Sequence, residues 1–150
     1  MDRTDRAIIE QLRRDCRLSN TELADRVGLT PSPCLRRVRR LEEEGVILGY
    51  HARVDPAALG RGFEVQVDLE LADQAHGTIE RFEAALVACD EVVEARRMFG
   101  APDYHALVAV ADLPAYERFM TQRLLALPGL LRMQSRFAMK TLKSDVPRPG

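Results

Sequence analysis

The chain has 150 residues, enough for one large domain or two small ones, and 46% of them are hydrophobic. Its formal net charge of −1 does not by itself indicate a protein that binds nucleic acid. The three cysteines are far apart and form no metal-ligand spacing with the histidines, which argues against structural zinc. No apolar run approaches the ~20 residues that cross a bilayer, and no signal peptide is evident. We therefore expect a cytoplasmic protein without a metal or other cofactor.

The first thirty residues carry the signals of two short helices. Apolar residues at helical spacing predict a first helix over residues 2–14. Ser19 and Glu22 form the capping-box pattern, in which each side chain binds the other residue's backbone N–H, at the start of a second helix. Gly28 is expected to end that helix, because glycine adopts the left-handed conformation without a steric penalty. Leu29 is expected to fill the turn that follows.

A third helix is predicted to begin with Ser32 as its N-cap and Pro33 as its first residue. The segment 31–40 contains four arginines and no acid. Cys34 is expected to be a small packing residue. Residues that recur every third position predict an inward-facing apolar stripe of Leu35, Val38 and Leu41.

The arginines of this third helix are the strongest functional signal in the chain. Arg36 and Arg40 are predicted to project opposite the apolar stripe, and Arg37 to lie on its flank. Arg39 is expected to pack against the first helices or the backbone. Two helices joined by a glycine turn, the second with outward arginines, form a helix-turn-helix that fits the major groove of DNA. A solvated charged face is the alternative for this helix taken alone. The predicted DNA-binding residues are Ser32, Pro33, Arg36, Arg37 and Arg40.

The rest of the chain changes from helical to mixed patterning after a connecting segment at 51–62 that contains proline and glycine. Strict alternation of apolar and polar residues predicts a strand over 63–71. Further elements are predicted in chain order as a helix over 77–88, strands over 92–99 and 104–110, a helix from Asp112 through Leu127, and a strand over 130–142. We therefore expect an α+β protein, with a helix-turn-helix domain over 1–50, a linker over 51–62, and a ferredoxin-like βαββαβ domain over 63–150.

A ferredoxin-like sheet has both helices on one face, which leaves its other face uncovered. Strand 104–110 has apolar residues on both of its faces, and strand 63–71 points one apolar row to a single side, formed by Phe63, Val65, Val67 and Leu69. We expect an apolar uncovered face that a second copy buries, which predicts a homodimer formed sheet to sheet. The alternative is a monomer with polar residues on that face.

Several segments of the chain resemble the leucine-responsive regulator (Lrp/AsnC) family, and the resemblance covers nearly the whole length. In the N-terminal half they are Asp2-Arg3-Thr4-Asp5-Arg6-Ala7-Ile8-Ile9, Arg17-Leu18-Ser19-Asn20, Ser32-Pro33-Cys34-Leu35-Arg36-Arg37-Val38-Arg39-Arg40-Leu41-Glu42 and Gly45-Val46-Ile47-Leu48-Gly49-Tyr50. In the C-terminal half they are Phe99-Gly100-Ala101-Pro102-Asp103-Tyr104 and Leu127-Pro128-Gly129. The Pro-Cys-Leu-Arg-Arg-Val run is the most specific of these matches.

The resemblance implies a transcription regulator that dimerises through its sheet domain and assembles further into tetramers, octamers or hexadecamers. It also implies a small effector, commonly an amino acid, in a cleft between dimers. Many members of the family have an acid directly after the glycine of the effector turn, where this chain has Ala101. Asp103 remains available to accept hydrogen bonds from an effector's ammonium group. The implied effector residues are Phe99, Gly100, Ala101, Pro102, Asp103 and Tyr104, with Phe137 and Ala138 on the last strand.

The leading hypothesis is therefore a DNA-binding regulator that responds to a branched-chain amino acid or methionine and controls amino-acid metabolism or export. The resemblance is greatest to an actinobacterial branch linked to branched-chain amino-acid export. One alternative is an enzyme similar to sirohaem decarboxylase, which would need a cleft with a catalytic histidine or tyrosine and a degraded arginine helix. A second alternative is an effector-binding module whose N-terminal half does not bind DNA.

Overall fold

The computed structural model describes residues 1–52, 54–140 and 142. The chain forms two compact units, Met1–Arg53 and Val54–Gly150, each with a hydrophobic core of its own. The N-terminal unit contains three helices, α1 (Arg3–Arg14), α2 (Asn20–Val27) and α3 (Pro31–Glu43). Its core is small and is built from one or two residues of each helix, namely Ile8, Leu23, Ala24, Cys34 and Leu41.

The predicted boundaries of α2 are confirmed. The Ser19 hydroxyl accepts a hydrogen bond from the Glu22 N–H, and the Glu22 carboxylate accepts one from the Ser19 N–H. Gly28 ends the helix in the left-handed conformation with φ of 69°. Leu29 follows and packs against the core of the unit, as predicted. The α2–α3 turn therefore forms from local signals in the sequence together with the packing of Leu29.

Helix α3 begins two residues earlier than predicted, so the assignment of Ser32 as its N-cap is wrong. Thr30 is the N-cap residue and Pro31 is the first helical residue. Thr30 has the extended conformation of an N-cap residue, with ψ of 157°, and Pro31 fits the first helical position because no N–H is needed there. The apolar stripe also differs from the prediction. Cys34 is fully buried, which confirms its packing role, whereas Leu35 is 39% exposed.

The C-terminal unit has the predicted order of elements. After a single 3₁₀ turn at Ala57–Leu59 come β1 (Phe63–Leu71), α4 (His76–Val87), β2 (Val92–Arg97), β3 (Tyr104–Val110), α5 (Leu113–Gln122) and β4 (Leu130–Arg136). The four strands form one antiparallel sheet in the order β2-β3-β1-β4. This arrangement confirms the α+β, ferredoxin-like prediction.

Three predicted boundaries in this unit are wrong at their C-terminal ends. Strand β2 ends at Arg97 because the chain turns there, and the Met98 N–H binds the Asp103 carbonyl at 2.8 Å. Helix α5 begins at the predicted Asp112 cap but ends at Gln122 and is followed by a 3₁₀ turn. Strand β4 ends at Arg136, so the described residues of 137–142 lie outside it, and position 141 is not among the described residues.

On β1 and β4, the face of the sheet that the helices leave uncovered is charged, so the prediction of an apolar uncovered face is wrong for these strands, and Leu107 and Ala109 of β3 are apolar residues on it. Asp68 pairs there with His105 and Arg136, and Glu70 lies 2.7 Å from Arg132. Alternation in a strand shows that its two faces differ but does not show which face the helices cover. In this protein the helices cover the apolar row, and the fully buried residues there include Val65, Val67, Leu69, Ala106 and Val108.

Gly129 provides a test of how α4 packs against the start of β4. It lies directly before β4 with φ of 76°, and a Cβ placed on it would lie 2.4 Å from Cγ2 of Thr78 in α4. Gly129→Ala should therefore lower the free energy of unfolding by about 2 kcal/mol, through left-handed strain and overpacking. Urea unfolding of the full chain measures this. Gly77→Ala, on α4 with no neighbour within 4 Å, is the control and should be neutral or stabilising; equal effects would contradict the packing described.

Candidate functional site

The outer side of α3 carries two arginines without internal partners. Arg36 and Arg39 are exposed, and within residues 1–52 neither forms an ion pair or a side-chain hydrogen bond. The prediction that Arg39 packs against the first helices is therefore wrong. Relative to the buried Cys34, Arg36 is rotated by about 200° and Arg39 by about 140° around the helix axis. The two guanidinium groups thus lie on the face of α3 that points away from the core.

The other two arginines of α3 bind acidic residues at the start of α1. Arg37 donates from Nη1 to Asp2 Oδ2 at 2.6 Å and to Asp5 Oδ1 at 2.8 Å. Arg40 donates from Nη2 to Asp5 Oδ2 at 2.7 Å. The side chain of Asp5 is only 1% exposed, whereas those of Arg37 and Arg40 are 29% and 45% exposed. This cluster joins α3 to the N-terminus of α1, and we call it the Asp5 cluster.

The two carboxylates of the Asp5 cluster are held in their charged form. The Asp5 N–H and the Arg37 guanidinium lower the pKa of Asp2 to about 2. The Asp2 N–H, followed by Arg37 and Arg40, lowers the pKa of Asp5, although burial opposes this shift. The same contacts raise the pKa of Arg37. Arg37 and Arg40 therefore have strong internal partners that a DNA phosphate would have to replace, whereas Arg36 and Arg39 have none among the described residues.

The N-terminus of α3 presents few donors to a phosphate group. Pro31 and Pro33 occupy the first and third helical positions and have no N–H. Ser32, between them, is exposed and offers both a backbone N–H and a hydroxyl. The Asn20 side chain of α2 donates to the Pro31 carbonyl at 2.8 Å and so connects the starts of the two helices.

The turn between β2 and β3 is held in place by Asp103. Its Oδ2 accepts the Leu71 N–H at 2.7 Å, and its Oδ1 accepts Nε2 of Gln74 at 2.8 Å. These bonds attach the turn to the end of β1, whose partner strand β3 begins at the next residue, Tyr104. The carboxylate is thus already hydrogen-bonded, although each oxygen keeps capacity for a further donor.

A cleft of about 540 Å³ lies beside this turn, and we call it the turn cleft. Arg97 and Asp103 both line this cleft, together with Phe99, whose side chain is fully exposed. A cation, an anion and an apolar side chain are the groups that an amino acid's carboxylate, ammonium and apolar side chain would bind. The lining residues are Gln74, Arg97, Met98, Phe99, Gly100, Ala101 and Asp103.

The structure does not bring all of the sequence-predicted effector residues together. Tyr104 is buried, its hydroxyl donates to Glu83 at 2.8 Å, and burial with that bond raises its pKa to about 12. Pro102 lies in a separate depression on the uncovered face of the sheet. Phe137 and Ala138 follow the end of β4, and the Phe137 ring centroid lies 5.5 Å from that of Phe63. Phe63 is at the start of β1, the end of the strand remote from the turn.

Sequence reasoning missed three residues of the turn cleft, Gln74, Arg97 and Met98. Arg97 and Met98 directly precede the predicted turn, so their closeness in sequence was a usable signal. Gln74 had no such signal, because it reaches Asp103 only through the pairing of β1 with β3.

Two protein families match the sequence. Residues 1–47 match a family described as winged helix-turn-helix DNA-binding, and residues 64–147 match the Lrp/AsnC ligand binding domain. The chain is 42% identical to the Bkd operon transcriptional regulator of Pseudomonas aeruginosa, covering 95% of this chain and 93% of that protein. It is 40% identical to the leucine-responsive regulatory protein of Salmonella typhimurium, with coverage of 97% and 88%.

The protein belongs to the Lrp/AsnC family. Among solved structures, it is similar to a transcriptional regulator from Neisseria meningitidis in complex with L-Met, with a TM-score of 0.87, 32% identity and coverage of 98% and 96%. An AsnC family regulator from Agrobacterium tumefaciens superposes with a TM-score of 0.86, 35% identity and coverage of 99% and 97%. This Lrp/AsnC protein is thus a DNA-binding transcription regulator with a ligand-binding domain.

Across residues 1–52, 54–140 and 142, no group of three or more histidine, cysteine or acidic side chains is placed to hold a metal ion. Over the same ranges, every helix is too short or too polar to cross a membrane.

Proposed function

We propose that the ligand of this regulator is an amino acid with an apolar side chain, of the branched-chain or methionine type. The observation that carries the proposal is the turn cleft, where Arg97 and Asp103 lie beside Met98 and Phe99. Arg97 would bind the carboxylate, Asp103 the ammonium group, and the two apolar residues the side chain. The names of the relatives support this choice, since two refer to leucine or to a complex with L-Met.

We further propose that Arg36 and Arg39 contact DNA directly and that Arg37 and Arg40 hold α3 in position. A guanidinium that already binds two carboxylates gains less from a phosphate than one that has no partner, since the existing bonds must first break. Ser32 adds a hydroxyl and an N–H to the same outward face, while Pro33 shapes the first turn of the helix.

The physiological role that fits these sites is control of amino-acid metabolism or export in the cytoplasm, by homodimers that assemble into tetramers or octamers. Support for these assemblies comes from the family to which the chain belongs, since on the uncovered sheet face the acids of β1 already pair with the arginines of β4 within one chain. Ligand binding regulates such an assembly only when the ligand binds one state more tightly than another. No comparable observation favours the two alternatives, an enzyme similar to sirohaem decarboxylase and an effector-binding module whose N-terminal half does not bind DNA.

The experiment is a titration of the full-length protein with its own promoter DNA, followed by fluorescence anisotropy, with and without leucine, isoleucine, valine or methionine. We expect promoter binding whose affinity changes with at least one of these amino acids. Sedimentation of the same samples would report dimers or larger assemblies. Promoter binding that is independent of all four amino acids would contradict the proposed ligand class, and absence of promoter binding would support an idle N-terminal domain.

Isothermal titration of the same ligand into variants assigns it to the turn cleft. Asp103→Asn keeps one hydrogen-bond acceptor but removes the negative charge, and we expect it to weaken binding about tenfold or more through the lost ammonium contact. Gln74→Ala controls for the loss of the Asp103–Gln74 bond, and Asp90→Asn is the matched control, an exposed carboxylate before β2. Unchanged affinity in Asp103→Asn would remove this residue from the site.

A further inference from the structure

A second cleft in the C-terminal unit is lined by arginines. It has a volume of about 400 Å³ and lies where β3 ends, between α5 and the residues that follow the 3₁₀ turn at Ala57–Leu59. We call it the arginine cleft, after Arg61, Arg118 and Arg123. The turn cleft lies at the other end of β3, and seven residues of extended strand separate the two by about 20 Å.

The arginine cleft has an excess of positive charge. Its lining includes three guanidinium groups and a single carboxylate, that of Glu91. In the part of the chain that the structure describes, no acid lies within ion-pair distance of Arg61 or Arg118. Arg123 makes one weak contact, from Nη2 to the Cys89 sulfur at 3.7 Å. By contrast, Arg132 on the same unit pairs with a carboxylate.

The arginine cleft also has apolar residues in its lining. Ala115, Arg118, Phe119 and Gln122 share one face of α5, at the spacing that places side chains on successive turns. Phe119 of α5 and Val110 at the end of β3 are buried, and both are among the lining residues of the cleft. The three arginines of the lining are exposed. The lining of the cleft therefore combines buried apolar residues with exposed cationic ones.

The chemistry of these arginines selects a compact, multiply charged anion. Like charges held close together repel one another, and an anion between them removes that repulsion. A guanidinium group donates two parallel hydrogen bonds to the oxygens of a phosphate group. A phosphate ester carries up to two negative charges, which equals the excess of positive charge in the lining of the cleft. The cleft volume is within the range of small-molecule sites.

We propose that the arginine cleft binds a small phosphorylated anion, with Arg61 and Arg118 as its main ligands and Arg123 as a supporting one. This site is separate from the amino-acid site of the turn cleft and does not depend on it. The regulator then has two classes of small-molecule ligand, one zwitterionic and one anionic, bound at opposite ends of β3.

The test is isothermal titration of the full-length protein with pyrophosphate, at an ionic strength kept constant with sodium chloride. We expect saturable binding to the parent and at least tenfold weaker binding to the double variant Arg61→Gln/Arg118→Gln. Arg81→Gln, which removes an exposed arginine from α4, is the matched control and should bind as the parent does. Arg118→Lys keeps the positive charge but loses the two parallel donors of the guanidinium, so we expect its affinity for pyrophosphate to be intermediate. This variant tests the proposal even if the double variant fails to fold.

Other outcomes would overturn the proposal. Pyrophosphate that does not bind the parent, or that binds the parent and the Arg118 variants equally, would show that the cleft is not a phosphate site. Succinate that binds more tightly than pyrophosphate would replace the phosphorylated class with dicarboxylates. Weaker binding of duplex DNA by the double variant, together with no pyrophosphate binding by the parent, would reassign these arginines to DNA phosphates. None of these outcomes bears on amino-acid binding in the turn cleft.

Discussion

Asp5→Ala should lower the free energy of unfolding of the N-terminal unit by about 2–3 kcal/mol, because it removes a helix cap and two charge-assisted hydrogen bonds together. The buried carboxylate accepts the Asp2 N–H at 2.9 Å and binds both Arg37 and Arg40. The unit has only about fifty residues and a small core, so a loss of this size is a large part of its stability. Hydrogen exchange of the amides in α1 and α3 would measure the loss in this unit specifically.

Two further variants separate the parts of this effect. Glu10→Ala removes an exposed carboxylate of α1 whose pair with Arg14 spans 3.0 Å between two largely solvated side chains, and it should cost less than about 0.5 kcal/mol. Asp5→Asn keeps an acceptor for the Asp2 N–H but loses the charge, so an intermediate effect is expected. If the amides of α1 and α3 exchanged no faster in the Asp5→Ala variant than in the Glu10→Ala variant, the Asp5 cluster would have no stabilising role.

The same cluster predicts a pH dependence with a definite sign. The pKa of Asp2 falls from 3.8 to about 2 in the folded protein, and that of Asp5 is also lowered. A group whose pKa is lower in the folded state stabilises the fold fully above its unfolded-state pKa, and this contribution disappears as the pH falls through the folded-state pKa. The stability difference between the parent and Asp5→Ala should therefore be constant from pH 7 to pH 5 and decrease below about pH 4. A difference that grew on acidification would contradict the assignment.

Arg36→Ala should reduce affinity for the promoter by about 5- to 150-fold, which corresponds to about 1–3 kcal/mol for a lost base contact. Arg36 is exposed on the outer side of α3 and has no internal partner among the described residues, so its removal should not affect folding. Fluorescence anisotropy with promoter and random duplexes measures both specific and non-specific binding. A base contact is lost on the promoter alone, whereas a phosphate contact weakens both complexes and reduces the slope of log affinity against log salt by about one.

Two comparisons make this result interpretable. Arg81→Ala in the C-terminal unit removes the same charge from α4 and should leave both affinities within about twofold of the parent. Arg39→Ala should weaken binding in the same sense as Arg36→Ala, since the two guanidinium groups share the outer face. Parent-like binding of both duplexes by the Arg36→Ala variant would exclude a DNA contact by this residue.

Local structure followed closely from the sequence. The capping box of Ser19 and Glu22, the left-handed Gly28 and the strand over 104–110 are all found as predicted. Each of these signals depends on residues a few positions apart, whose geometry a single helix or strand imposes by itself. The family resemblance also came from contiguous segments, and the later matches to both halves of the chain confirm it.

The partners of the α3 arginines could not be read from helical periodicity. Periodicity specifies the angle at which a side chain leaves the helix but not what lies opposite to it. Arg37 and Arg40 bind Asp5 across 32 and 35 residues of sequence, because the packing of α1 against α3 brings the start of α1 to that side. The four arginines at positions 36, 37, 39 and 40 therefore comprise two that bind Asp5 and two with no partner among the described residues, without a local difference between them.

The turn cleft shows the same division. The turn and the strand on each side of it are local features, and the sequence located β3 correctly but extended β2 two residues too far, to residue 99. Pairing of β1 with β3 then brings Gln74 to Asp103, helix packing buries Tyr104, and the end of β4 leaves Phe137 remote from the turn. Which strand neighbours which, and which face the helices cover, depends on burying the largest apolar area of the whole domain, and no single segment contains that information.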